Sequence, residues 1–299
     1  MQTTLSPKTR RWLQTHAHSL AGKTVLVTGA TGSLGRCACA EMLTLGARLI
    51  LPVRSRQKGE ALVAALRAGQ PQAQIELESV DMASFASVDA LVKRLCERGE
   101  AIDCLVNNAG VFTRVGVQTA DGCELHLQTN ALSPLRLTRG LLPALLRSPA
   151  PRVVTVTSLA AWSAKQSAQD PLTLKSATAA YGRSKLALMR GICELCEQHP
   201  DVAFCFAHPG ICATDLFHAG AHPTAYSAGL LKLVLPVMRR VFMRPQKAAL
   251  TTVYAVCADE KQLKMSVPRG LMQVWGYPAL RNVWKKAGLL RPLDRRDQR

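Results

Sequence analysis

The sequence predicts an α/β fold, a doubly wound sheet of about seven parallel strands with helices on both faces. Short apolar runs alternate with helical stretches along the chain of 299 residues. A glycine-rich turn joins the first apolar run to the helical stretch after it, and no linker, repeat or low-complexity segment interrupts the alternation. Because α/β chains of this length are common as single units, we expect one domain spanning residues 1–299.

The predicted strands are short apolar runs, which are typical of strands buried on both faces of a parallel sheet. In chain order they are residues 25–27, 49–53, 75–77, 104–106, 153–156, 202–206 and 271–275. Pro52 lies inside the second run, although proline removes a ladder donor. We interpret it as the point where that strand ends.

The first twenty residues predict an N-terminal helical extension, residues 1–20, packed on the core. Ser6 and Pro7 supply a cap and a first helical position, and the pattern from Arg10 to Leu13 is amphipathic. The segment lacks the apolar stretch of a secretory signal peptide. We therefore expect a cytoplasmic protein, with contact to a membrane surface left open.

The glycine-rich turn after the first strand predicts a nucleotide-binding site. Glycines there let the backbone approach a pyrophosphate, and the N–H groups of the next helix stabilise its charge. A plain loop is the alternative for such a turn taken alone. The candidate residues are Gly29, Thr31, Gly32, Ser33, Leu34 and Gly35.

The residues after the second strand favour NADP(H) over NAD(H). An NAD-binding chain usually has an acidic residue there for the ribose hydroxyl, whereas this chain has Arg54, with Arg56 and Lys58 close behind. A guanidinium suits a 2′-phosphate, and Arg36 after the glycine turn is a second candidate for it. The alternative is that these cations belong to an ordinary solvated loop.

A proton-transfer site is predicted from three residues. Tyr181 and Lys185 are spaced to share one helix face, so the ammonium is expected to favour the ionised phenol and to lower its pKa. Ser158 closes the apolar run of the fifth strand and is placed to hydrogen-bond the same oxygen. A solvated helix face is the alternative for an isolated Tyr-x-x-x-Lys.

With these residues in place, the chain resembles a short-chain dehydrogenase/reductase from about Leu20 to Trp275, which implies a Rossmann-type sheet. The resemblance rests on the glycine turn, on the segment 107–110 and on Pro209-Gly210 followed by Thr214. It implies that Asp81 and Met82 contact the adenine, that Asn108, Ala109 and Gly110 approach the ribose, and that Pro209, Gly210 and Thr214 touch the nicotinamide. The catalytic tetrad that it implies is Asn130, Ser158, Tyr181 and Lys185.

Several features are similar to the retinol-dehydrogenase-like branch of that family. Tyr181 follows Ser158 by 23 residues, a longer spacing than is usual in the family, and Arg54 and the segment 208–210 agree with the branch. The spacing of the glycine turn, with Ser33, is instead similar to the sugar-nucleotide-modifying branch. That alternative is weakened because too few residues follow Thr214 for the larger substrate domain of that branch.

The resemblance implies an oxidoreductase that interconverts a lipophilic carbonyl and its alcohol with NADP(H). Tyr181 would exchange the proton, Lys185 would bind the ribose and lower the tyrosine pKa, and Ser158 would hold the carbonyl oxygen. Asn130 would hold a water that connects Lys185 to solvent, or satisfy a helix kink near Pro134. A cofactor-binding sensor or scaffold without turnover is the rival interpretation.

The net charge of +18 predicts attraction to anionic surfaces, and residues 276–299 form a basic C-terminal tail. Residues 213–245 occupy the position of the family's substrate lid and contain an apolar stretch, 226–238, too short to span a bilayer. It is interpreted as a pocket wall, a core or homo-oligomer contact, or a shallow peripheral membrane contact. Nucleic acid binding is not expected, because no groove-reading motif is present.

The ten cysteines are expected to be free thiols in a reducing compartment. The cluster Cys193, Cys196 and His199 has a spacing that aligns one side of a helix, and no second ligand pair accompanies it. No metal site is therefore predicted.

Overall fold

The computed structural model describes residues 5–164, 171–212, 243–259, 263–270, 273 and 276–282. Its centre is an eight-stranded sheet in the order β3-β2-β1-β4-β5-β6-β7-β8. Neighbouring strands from β3 to β7 are parallel, and β8 pairs antiparallel with β7 at the edge. The strands are β1 (Thr24–Val27), β2 (Arg48–Val53), β3 (Ile75–Ser79), β4 (Cys104–Asn107), β5 (Arg152–Val156), β6 (Ala203–Ala207), β7 (Lys264–Pro268) and β8 (Pro278–Asn282).

Helices cover both faces of the sheet, and each face has its own cluster of buried apolar side chains. This arrangement confirms the predicted doubly wound α/β fold. The helices are α1 (Pro7–His16), α2 (Ser33–Thr44), α3 (Arg56–Gly69), α4 (Phe85–Glu97), α5 (Leu125–Leu127), α6 (Ser133–Leu145), α7 (Ala160–Ser163), α8 (Ala177–Gln198), α9 (Pro245–Ala248) and α10 (Leu250–Cys257), with a π-type turn at Gln128–Leu132 and a 3-10 turn at Pro171–Thr173.

The carboxyl-terminal part of the sheet differs from the sequence prediction. The seventh parallel strand is β7, Lys264–Pro268, and not residues 271–275, of which the structure describes only Gln273. The interpretation of residues 276–299 as a tail also needs correction at its start, because Pro278–Asn282 form β8. The sequence was misleading here because Lys264 and Pro268 in β7, and Pro278 in β8, interrupt the apolar runs that predict strands.

Pro52 is accommodated inside β2 by the way that this strand pairs. Pairing of β2 with β3 continues to Val53, whereas pairing with β1 ends at Ile50. The N–H of Leu49 donates toward the β3 side. Because backbone nitrogens alternate in direction along a strand, those of Ile50 and Pro52 point toward β1. Since Pro52 lies beyond the last β1 pair, the missing donor breaks no ladder bond.

The N-terminal helix α1 packs on the domain. The Ser6 hydroxyl caps it by accepting a hydrogen bond from Thr9 N at 3.3 Å, and Leu13 is 2% exposed. The Trp12 ring stacks on Tyr277 beside β8, with ring centroids 5.1 Å apart. The N-terminal extension and the edge strand thus support each other.

Some predicted features lie outside the described residues. They are Thr214, nearly all of the 213–245 segment including its apolar stretch 226–238, and residues 283–299. In the part of the chain that the structure describes, no helix has the length and apolar character to cross a membrane.

Candidate active site

A cleft of about 1420 Å³ opens at the carboxyl ends of the parallel strands, where the strand order reverses between β1 and β4. It brings together the predicted residues Gly29, Thr31, Gly32, Ser33, Leu34, Gly35, Arg36, Arg54, Asp81, Met82, Asn108, Ala109, Gly110, Ser158, Tyr181, Lys185, Pro209 and Gly210. Asn130 lies behind the cleft wall, and Thr214 is outside the described residues. The cleft therefore contains most of the predicted site residues.

The glycine turn is packed too closely for side chains. Gly29 has a positive φ of 65°, and a Cβ there would come within 2.7 Å of the Cα of Ala109. A Cβ at Gly35 would collide with the carbonyl oxygen of Gly29. The N-cap residue of α2, Gly32, has no side chain with which to cap the helix, so this helix end suits a pyrophosphate, as a dinucleotide requires.

The turn is tied to the segment after β4 by a compact set of hydrogen bonds. The fully buried Thr28 hydroxyl accepts from the backbone N–H groups of Asn108 and Ala109, each at 3.0 Å. In return, Asn108 Nδ2 donates to the carbonyl oxygens of Thr28 and Gly29 at 2.9 and 3.1 Å. Two segments that are 80 residues apart in sequence are thereby fixed to each other.

Cations surround the part of the cleft next to β2. Arg54 and Lys58 are exposed and line the cleft, whereas Arg56 points to Glu60, with Nε 2.9 Å from Oε1, and does not line it. Arg36 donates from Nη2 to the Thr31 carbonyl at 3.0 Å, while its buried Nε has no hydrogen-bond partner among the described residues. This donor set fits a phosphate group of a nucleotide.

Helix α8 places Tyr181 and Lys185 beside the end of β5. Gly182 permits this approach, because a Cβ there would lie 2.6 Å from the carbonyl oxygen of Ala160 on α7. Ser158 and Tyr181 both line the cleft, and hydrogen bonding by Ser158 acts to lower the pKa of the tyrosine. Lys185 is 3% exposed, and its Nζ donates to the Val156 carbonyl at 2.9 Å and lies 6.0 Å from the centre of the Tyr181 ring.

The electrostatics of this pair differ from the sequence expectation. Burial raises the pKa of Tyr181 to about 12, against a smaller lowering by the Ser158 hydrogen bond. Burial also lowers the pKa of Lys185 to about 8. The expected lowering of the tyrosine pKa by Lys185 is therefore not observed, because removal of both groups from water outweighs their attraction. The phenol is neutral, and the amine is mostly protonated, near pH 7.

Asn130 lies in the π-type turn before α6 and holds the chain that leaves β4. Its Oδ1 accepts from Val111 N at 2.7 Å, and its Nδ2 donates to the Val111 carbonyl and to Ser184 Oγ, each at 3.0 Å. The Ser184 hydroxyl in turn donates to the Tyr181 carbonyl at 2.7 Å. The side chain of Asn130 thus links the cleft wall to the helix that carries Tyr181.

Sequence reasoning did not single out Phe112, Glu124 and His126. The Phe112 ring meets the Tyr181 ring edge-on at a centroid distance of 5.4 Å and also meets the His126 ring at 6.3 Å. His126 is fully buried and pairs with the buried Glu124, with Nδ1 2.6 Å from Oε1. Glu124 and His126 alternate with the apolar Leu125 and Leu127, a pattern that normally leaves the polar residues on the solvent side, so nothing in the sequence indicated their burial.

His208 is a further buried residue of the cleft. Burial lowers its pKa to about 4, so the imidazole is neutral near pH 7. Its ring lies 5.9 Å from the Trp162 ring, and neither ring nitrogen has a hydrogen-bond partner among the described residues. The sequence indicated His208 only through the resemblance to one family branch.

The geometry can support hydride chemistry at one end and nucleotide binding at the other. A neutral phenol next to a serine hydroxyl in the cleft is suited to proton exchange with a carbonyl or alcohol oxygen. The glycine turn and the cations next to β2 are suited to the phosphates of a dinucleotide. One continuous cleft connects these two ends.

The comparisons with known proteins agree with this chemistry. The model of the short chain dehydrogenase family matches residues 23–223. The chain is 35% identical over 254 residues to retinol dehydrogenase 14 of Mus musculus, covering 80% of this chain and 75% of the relative. It is 33% identical over 255 residues to polyprenol dehydrogenase of Mus musculus, with coverages of 80% and 72%.

A solved structure shares the fold as well. The Pseudomonas aeruginosa RhlG/NADP active-site complex has a TM-score of 0.59 at 25% identity, covering 80% of this chain and 90% of that one. The chain therefore belongs to the short-chain dehydrogenase/reductase family, in its retinol-dehydrogenase-like branch, and is an NAD(P)-dependent oxidoreductase.

Proposed function

We propose that this oxidoreductase uses NADP(H) to interconvert a lipophilic carbonyl and its alcohol, with Tyr181 as general acid and base. The observation that carries the proposal is the position of Ser158, Tyr181 and Lys185 in the same cleft as the glycine turn. That arrangement supports proton transfer next to a bound dinucleotide. The nicotinamide would supply the hydride, and the protein's task is to orient the substrate and move the proton.

The preference for NADP(H) is supported by the charges next to β2. Arg54 and Lys58 line the cleft, and Arg36 has a buried guanidinium nitrogen without a partner among the described residues. Asp81, after β3, already accepts a hydrogen bond from Ala83 N at 2.9 Å. A 2′-phosphate would therefore meet mainly cations, whereas a free ribose hydroxyl would leave them without an anion.

The proton steps follow from the electrostatics of the site. Because the phenol of Tyr181 is neutral near pH 7, it is ready to donate a proton to a carbonyl oxygen that Ser158 holds by hydrogen bonding. The protonated Lys185 stabilises the phenolate that remains, and this stabilisation fades as the pH rises through about 8. The site is therefore suited to carbonyl reduction near neutral pH.

A lipophilic substrate is supported by the walls around Tyr181. Leu159, Ala160, Phe112 and Ile211 line the cleft, and the Phe112 ring meets the Tyr181 ring edge-on. Retinol and polyprenol, the alcohols in the names of two similar proteins, are both long apolar molecules. An apolar wall stabilises such a chain by burial while the polar end meets Ser158 and Tyr181.

The test combines two variants with a panel of retinoids, prenyl aldehydes and short aldehydes. Tyr181→Phe should lower the rate of NADPH-dependent reduction by about 10²–10⁴-fold while the affinity for NADPH, measured by fluorescence titration, stays unchanged. Arg54→Asp should raise the KM for NADPH by about tenfold or more relative to the KM for NADH.

The matched control for the charge change is Arg56→Asp, on the same segment but bound to Glu60 and outside the cleft. It should leave the ratio of the two KM values as it is. Full activity of the phenylalanine variant would overturn the assigned role of Tyr181. NADPH binding with no turnover across the panel would instead favour a cofactor-binding sensor.

A further inference from the structure

The segment Val111, Phe112, Thr113 leaves β4 and forms the cleft wall over Tyr181. It is fastened on both sides of Phe112 by side chains from one short stretch of the chain. Asn130 binds both the N–H and the carbonyl of Val111, at 2.7 and 3.0 Å. His126 binds the N–H of Thr113, with a nitrogen-to-nitrogen distance of 3.0 Å. Phe112 thus lies between two backbone positions that are fixed by side chains, and we call the Asn130 contacts with Val111 and the His126 contact with Thr113 the two clamps.

The hydrogen bonds of His126 define its tautomer. A backbone N–H can only donate, so Nε2 of His126 accepts from Thr113 and carries no proton. The ring proton is therefore on Nδ1, which donates to Glu124 Oε1 at 2.6 Å. The other carboxylate oxygen of Glu124 accepts from Leu127 N at 2.8 Å. The carboxylate fixes the imidazole with its acceptor nitrogen toward the cleft wall.

Burying Glu124 and His126 costs more free energy than burying apolar side chains at the same positions would. Glu124 is 3% exposed and His126 is 0% exposed, and a buried charged or polar group loses hydration that an apolar side chain would not lose. Packing at this site would be satisfied by apolar residues of similar volume. The imidazole supplies what an apolar residue lacks, a directed acceptor for Thr113 N.

Phe112 connects this clamp to the chemistry. Its ring lies edge-on to the Tyr181 ring, with centroids 5.4 Å apart and planes at 86°, and it also lines the cleft. A ring in that position covers one side of the phenol and limits the width of the cleft beside it. If the Thr113 end is released, the ring gains freedom to swing away, water reaches the phenol and the pocket widens.

We propose that His126, oriented by Glu124, is a positioning residue that holds Phe112 against Tyr181 and so sets the width of the substrate pocket. The effect of His126 on turnover rests on the proposed function. The effect of His126 on the ionisation of the Tyr181 phenol does not, because the phenol can be titrated in the free protein.

The experiment compares two variants that differ in which ring nitrogen they replace. His126→Gln keeps a polar acceptor near the position of Nε2, whereas His126→Asn keeps a group near Nδ1 but does not reach Thr113. The ionisation of Tyr181 is followed by the absorbance of tyrosinate below the alkaline unfolding transition. Tyr181→Phe is the reference that subtracts the other three of the four tyrosines.

We expect His126→Asn to lower the pKa of Tyr181 from about 12 toward its ordinary value of about 10, because water then solvates the phenolate. His126→Gln should keep the high value. With aldehydes of increasing bulk, His126→Asn should change the ratio of kcat/KM for bulky against small substrates by about tenfold, mainly through KM.

Unchanged tyrosine ionisation and unchanged substrate ratio in a folded His126→Asn variant would overturn the proposal, as would equal changes in both variants. If His126→Asn does not fold, Phe112→Ala takes its place: it leaves both clamps intact, and an unaltered tyrosine pKa would again overturn the proposal. If the unmodified protein reduces no carbonyl, the proposed function fails, and the tyrosine titration alone decides the role of His126.

Discussion

Replacing Lys185 with methionine should make the folded protein more stable while removing its activity. The pKa of this buried amine is lowered from 10.5 to about 8 by burial. The unfolded chain therefore binds more protons than the folded protein between about pH 8 and 10.5. At pH 7, a lowering of this size costs about 3 kcal/mol of unfolding free energy, since each pKa unit corresponds to about 1.4 kcal/mol.

Part of this gain is offset in the variant. Methionine cannot replace the hydrogen bond of Nζ to the Val156 carbonyl, which contributes about 1 kcal/mol. We therefore expect Lys185→Met to raise the free energy of unfolding at pH 7 by about 2 kcal/mol. Because stability of the natural protein rises as the pH increases from about 8 to 10.5, the advantage of the variant should disappear over that window.

Urea unfolding of both proteins at pH 7 and near pH 10 measures this difference. The control is Lys93→Met, since Lys93 is exposed on α4, 3.8 Å from Glu97, and should change stability by less than about 0.5 kcal/mol at either pH. A Lys185→Met protein that is no more stable at pH 7, or whose advantage does not depend on pH, would refute the assignment of a buried ammonium to Lys185.

Two further predictions concern helix α2. Gly35→Ala should abolish NADPH binding in fluorescence titration and destabilise the protein, because the added Cβ collides with the Gly29 carbonyl. The control is Gly69→Ala, where no atom lies within 4 Å of the added Cβ. This control should be neutral or stabilising by up to about 1 kcal/mol. Glu41→Gln should stabilise the protein by about 3 kcal/mol at pH 8 in urea unfolding, because burial raises the pKa of Glu41 from 4.5 to about 7 and each pKa unit corresponds to about 1.4 kcal/mol. That gain should vanish as the pH falls from 7 to below 4.5, and an equal gain at pH 4 would contradict the account.

Most of the parallel strands, from β1 to β6, could be predicted because each contains a short run that is mainly apolar. All four residues of β1 and of β4 are buried, so periodicity and burial agree there. The edge of the sheet could not be predicted in the same way. Residues of β7 and β8 include Lys264, Arg281 and prolines at Pro268 and Pro278, and an edge strand tolerates both charges and prolines.

The site residues were predictable from motifs, but their electrostatics were not. The spacing of Tyr181 and Lys185 placed both on one helix face, as the structure has them. The pKa of each then depends on how deeply the helix is buried, which depends on residues far away in sequence. The clamp by His126 was missed for the same reason, since the partners Thr113 and Phe112 lie in a separate segment.

The hydrogen bonds between Thr28, Gly29, Asn108 and Ala109 have a consequence for the thermodynamics of nucleotide binding. These bonds are made within the protein, so two segments that we propose to contact the cofactor are already ordered relative to each other. Calorimetric titration should therefore show only a small loss of backbone entropy when a dinucleotide binds. Differences in affinity between dinucleotides should then arise from their direct contacts with exposed side chains such as Arg54, and should weaken as salt is added.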